Sequence, residues 1–73
     1  MAKINQQDKD KIIGEFQTMK SFEESARDLY LKISSEPSIQ DQNIKDVFAR
    51  IAQDEQRHAE IVQKIINIVT NAF

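Results

Sequence analysis

Apolar residues recur along this chain at alternating steps of four and three. Ile12, Phe16, Met19, Ala26, Tyr30 and Ile33 form one series, with Glu23 standing where an apolar residue is due. Ile44, Phe48, Ile51, Val62, Ile65 and Val69 form a second, interrupted by Glu55 and His58. Such alternation is the seam of a packed helix. Between the two series lies Ser34-Ser35-Glu36-Pro37-Ser38, where Pro37 disfavours helix at the residue before it. The pattern predicts a helix over about 7–34, a turn at 35–38 and a second helix over about 39–71. Ser38 followed by Asp41 resembles an N-terminal capping arrangement for the second helix. Gly14 weakens the first helix locally without ending it.

A connection this short makes the helices antiparallel neighbours in a hairpin, an all-α arrangement. Counted outward from the turn, Glu23 stands roughly 13 residues along one helix and Glu55 roughly 17 along the other, about 6 Å apart in height at the helical rise. Loop geometry and tilt absorb a difference of that size, so Glu23, Glu55 and His58 are expected in one layer. Phe22, Leu29 and Leu31 lie off the seam and are expected to cover a flank or to form a further interface.

Length changes the picture, because 73 residues make at most one small domain, which hides only about 60% of the surface its unfolded chain exposes. Such a domain needs disulfides, a metal or a partner chain. Cysteine is absent, which removes disulfides, thiolate zinc sites and a rubredoxin-like iron centre. A net charge of -2 with both signs interspersed leaves no basic stripe, so nucleic acid is not an expected partner. The first seven residues lack the apolar core of a secretion signal. The most apolar tract, 60–73, is broken by Gln63, Lys64, Asn67 and Asn71, so no membrane span is expected. A soluble, cytoplasmic protein follows as the expectation.

The polar members of the seam carry the chemistry. A carboxylate among apolar neighbours costs several kcal/mol unless it is paired, protonated or bound to a cation. Neither seam holds a Lys or Arg, although Arg27 and Arg57 stand nearby. Glu55 and His58, three apart, share a helical face and can converge on one ion. One chain offers two carboxylates and one imidazole, too few for a di-metal centre. Two chains about a two-fold axis offer four carboxylates and two histidines, the donor set of di-iron four-helix bundles. Dimerisation would also cover the apolar stripe each hairpin leaves open.

Two stretches carry a family resemblance. Glu23-Glu24-Ser25-Ala26-Arg27-Asp28-Leu29-Tyr30 is similar to a Glu-x-x-Ala-Arg-x-x-Tyr motif, and Phe48-Ala49-Arg50-Ile51-Ala52-Gln53-Asp54-Glu55-Gln56-Arg57-His58-Ala59 to a Phe-x-x-x-Ala-x-x-Glu-x-x-His-Ala motif. Both belong to the rubrerythrin branch of the ferritin-like superfamily, and this chain resembles it over about half its length. The resemblance implies a half-domain spanning 1–73 that dimerises into a ferritin-like four-helix bundle. It makes Glu23 a terminal or bridging carboxylate, Glu55 the bridging carboxylate, His58 the terminal nitrogen ligand and Tyr30 a neighbouring aromatic. Rubrerythrins proper carry four helices per chain and often a cysteine-ligated iron domain, both missing here. Two-helix relatives, the encapsulated ferritins, build their ferroxidase site between subunits and usually carry a tail that docks into a shell. This chain closes at Asn71-Ala72-Phe73, so no docking tail is expected.

The leading expectation is a homodimer, or a larger even-numbered homo-oligomer, holding two Fe ions per dimer at Glu23, Glu55 and His58 and oxidising Fe²⁺ with O₂ or peroxide. Zn²⁺ and Mn²⁺ accept similar ligands. The alternative is a non-catalytic helical dimerisation module whose polar layer sets the pairing. Tyr30 reads as a packing aromatic. Glu24, Asp54 and Glu60 read as solvated charges, or as carboxylates that guide Fe²⁺ inward.

Overall fold

The computed structural model describes residues 4–72. They form two helices, α1 (Gln6–Ser34) and α2 (Gln42–Ala72), packed antiparallel as a hairpin, with no strand among the described residues. No helix among them is long and apolar enough to cross a membrane.

Local chemistry sets the helix ends. Asn5 opens α1: its side chain accepts from the Asp8 backbone N–H at 2.8 Å, while its amide donates to the Asp8 carboxylate at 3.1 Å, a reciprocal cap. At the other end, the Leu31 carbonyl accepts the Ser35 backbone N–H at 3.1 Å, and the Ser34 and Ser35 hydroxyls also donate to it, at 2.8 and 3.0 Å. Pro37 and Ser38 then sit at the centre of a turn closed by the Ile39 N–H on the Glu36 carbonyl at 3.1 Å.

The second helix starts three residues later than the sequence suggests, and its cap is Asp41. Ser38 is drawn back to Glu36, whose carboxylate accepts from the Ser38 hydroxyl at 3.2 Å. Asp41 Oδ1 instead accepts from the Asn43 and Ile44 N–H groups at 2.9 and 3.3 Å. Counted from the helix ends, Glu23 is 11 residues from the end of α1 and Glu55 13 from the start of α2, a difference in height of only about 3 Å.

The seam is also rotated. The buried side chains are Ala52, Ala59, Val62 and Ile66, all on α2, while α1 buries none. Ala52, Ala59 and Ile66 each lie one residue beyond the expected Ile51, His58 and Ile65. The apolar stripe is wider than one neighbouring helix covers, and the hairpin uses one edge of it. Lys20 and Arg27 meet α2 along that edge, donating to Gln63 (2.8 Å) and Gln56 respectively.

The other edge stays open. Met19 and Ala26 precede Lys20 and Arg27 by one residue, as Ile51, His58 and Ile65 precede the buried Ala52, Ala59 and Ile66. One step back along each of two antiparallel helices turns in opposite senses, which swings both sets to the same side of the hairpin. On that side Met19, Phe22, Leu29, Ile44, Val47, Ile61 and Ile68 are exposed, Phe22 to 70%. The molecule is a slab of 55 × 17 × 11 Å. Its radius of gyration is 16.7 Å, against about 11 Å for a compact domain of this length.

Candidate metal centre

Glu23 lies near the middle of α1, and Glu55 and His58 one turn apart near the middle of α2. Because 55 and 58 share a face, both reach toward the single residue that α1 presents at their height. His58 Nδ1 stands 3.3 Å from Glu23 Oε2 and 3.9 Å from Glu55 Oε1. One donor atom from each residue can be chosen so that all three lie within 4.8 Å of one another. The layer expected from the sequence is therefore formed within one hairpin.

Its electrostatics are unfinished. The Glu23 and Glu55 side chains are 20% and 23% exposed, whereas His58, on the open edge, is 55% exposed. Glu23 Oε2 is shut off from solvent and accepts no hydrogen bond. With only the His58 ring nitrogen near it, at 3.3 Å, and no hydrogen bond made, a carboxylate oxygen in such surroundings calls for a cation or a proton. The nearby arginines supply neither. Arg57 pairs with Asp54 at 3.0 Å, and Arg27 turns to Asp28 and Gln56. Desolvation, then a hydrogen bond to Glu23 and that residue's charge, push the Glu55 carboxyl above the ordinary glutamate range, with His58 opposing.

Two acid groups and an imidazole with a shielded, unsatisfied oxygen fit a divalent transition metal, the imidazole suiting iron or zinc and the carboxylates iron or manganese. Three donors from one chain leave coordination positions open. Tyr30 is not among them: it packs on Phe48 with ring centroids 5.8 Å apart, inclined at 38°. Glu24 and Glu60 line an open groove with Lys20, Gln56 and Gln63, on the side away from the open apolar edge.

A family model described as rubrerythrin matches residues 12–71, which include both helices' central turns and all three clustered residues. The chain belongs to the rubrerythrin family. Searches of the curated proteins and of the solved structures find no match to it. The sequence made the Glu23, Glu55 and His58 constellation visible because polar residues interrupt a strict apolar seam. It did not reveal the part played by Asp28 and Gln56. Nothing in the sequence singled them out, and only the fold shows that they hold Arg27.

Proposed function

We propose that this rubrerythrin-family chain pairs with a second copy across its open apolar edge and binds Fe²⁺ at Glu23, Glu55 and His58, oxidising it with O₂ or peroxide. The observation that carries the reading is the cluster itself, two carboxylates and an imidazole meeting around a shielded oxygen that no Lys or Arg neutralises.

Pairing is supported by surface area. The hairpin exposes 5514 Å², against about 4,700 Å² for a globular protein of 8.5 kDa. The excess, about 800 Å², is what one partner contributes to a standard interface. His58 lies on the open edge, so a two-fold pairing through that edge brings two clusters together and doubles the donor set to four carboxylates and two imidazoles.

A pair of Fe²⁺ ions held there would supply two electrons, one from each, enough with two protons to carry O₂ to hydrogen peroxide or hydrogen peroxide to two waters. The chain's residues do the rest. Glu23 and Glu55 would provide the anionic oxygens that favour the ferric state, and His58 would supply one nitrogen ligand on the open edge. The apolar edge, once covered, excludes water around them.

The test is metal content and oligomer mass on one sample, with Glu55→Ala alongside. About one iron per chain in a dimer or its multiple, lost in the variant, is the expected result. A well-folded dimer that Fe²⁺ cannot load would leave only a helical pairing module.

A further inference from the structure

We infer that Asp28 and Gln56 form a tether that holds Arg27 away from Glu23 and so keeps the carboxylate cluster open to a divalent cation; this rests on the metal reading above. Arg27 follows Glu23 by four residues on α1, the spacing at which carboxylate and guanidinium meet on a helix surface. Glu23 Oε2, shielded and accepting nothing, is the kind of acceptor such a group would take. An arginine there would satisfy the oxygen a metal needs and would have to be displaced before an ion could bind.

The fold prevents it. Arg27 Nε and Nη2 both lie 2.9 Å from Asp28 Oδ1, and Nη1 donates to Gln56 Oε1 on the facing helix. All three guanidinium nitrogens are engaged, from two sides. The Gln56 half of the tether comes from α2, so it forms only when the helices are docked in this register. Gln56 directly follows Glu55, so the turn of α2 that brings a ligand to the cluster also carries the hold on the competing cation.

The experiment is Co²⁺ titration of the full-length protein by visible absorption, with helicity checked by circular dichroism. Gln56→Ala, which changes no charge, is expected to weaken Co²⁺ binding, and Asp28→Asn/Gln56→Ala to weaken it by about tenfold. Adding Arg27→Gln to the double variant is expected to restore wild-type affinity. Glu24→Gln removes the same charge as Asp28→Asn, beside Glu23, without taking a hydrogen bond from Arg27; it is expected to have a much smaller effect. Unchanged affinity in the double variant, no rescue by Arg27→Gln, or an equal loss in Glu24→Gln would overturn the tether while leaving the metal site standing. A wild-type protein that takes up no Co²⁺ or Fe²⁺ would sink the metal reading and the tether with it.

Discussion

Glu55 is placed against its own preference for water, and the consequences can be measured without any metal. Its carboxyl is raised by desolvation and by Glu23, so the folded chain holds that proton more tightly than the unfolded chain does. A raised carboxyl contributes stability that is fully present below its unfolded value and disappears as pH rises through its folded value. The metal-free protein should therefore gain stability relative to Glu55→Gln as pH falls from neutral into the acidic range, with the two curves parallel above it. Thermal melts of both proteins across that range check the sign. Glu55→Leu should raise the melting temperature of the metal-free protein at pH 7 and abolish any further rise on adding Fe²⁺. The cluster was legible in the sequence because Glu23, Glu55 and His58 break an apolar rhythm. The arginine's restraint was not, since nothing in the spacing of Asp28 or Gln56 says which partner each will choose.

At the scale of the helices, the alternation of fours and threes gave both elements and placed the ends of α1 closely, but it left two things undecided. Ser38 and Asp41 are both acceptable caps in isolation, and the choice falls to Asp41 because the turn at Pro37 engages Ser38 first. Asp41→Ala should cost about 1 kcal/mol and Ser38→Ala much less, read from urea midpoints. The rotation of the seam was also hidden, because a stripe wide enough for two neighbours does not say which edge the first will take. Ala52 and Ala59 mark the edge that was taken. Gly14, by contrast, lies in a helix interior where an added methyl group meets nothing within 4 Å. Gly14→Ala should stabilise the protein by about 1 kcal/mol, from propensity alone.

For the molecule as a whole, the slab is built with one finished side and one open side. Met19 is exposed in the hairpin, so Met19→Asp takes little from a single chain. In a pair formed through the open edge it would place charges in the contact. Sedimentation should show Met19→Asp shifted toward monomer, with iron per chain falling in parallel although every ligand residue is intact. Leu31→Asp, toward the other side of α1, should keep both mass and iron.

The antiparallel register also grades the cost of closing the hairpin. Contacts between the helices link residues ever further apart in sequence with distance from the turn at Pro37. Tyr30 and Phe48 close the shortest loop, Arg27 and Gln56 the next, Glu23 and His58 a longer one, and Lys20 and Gln63 the longest of the four. Closing the hairpin outward from its turn costs least, because each contact shortens the loop that the next must close. A hairpin that zips outward along this gradient would secure Arg27 before Glu23 reaches His58, so the carboxylates would meet with their nearest rival for a cation already engaged elsewhere.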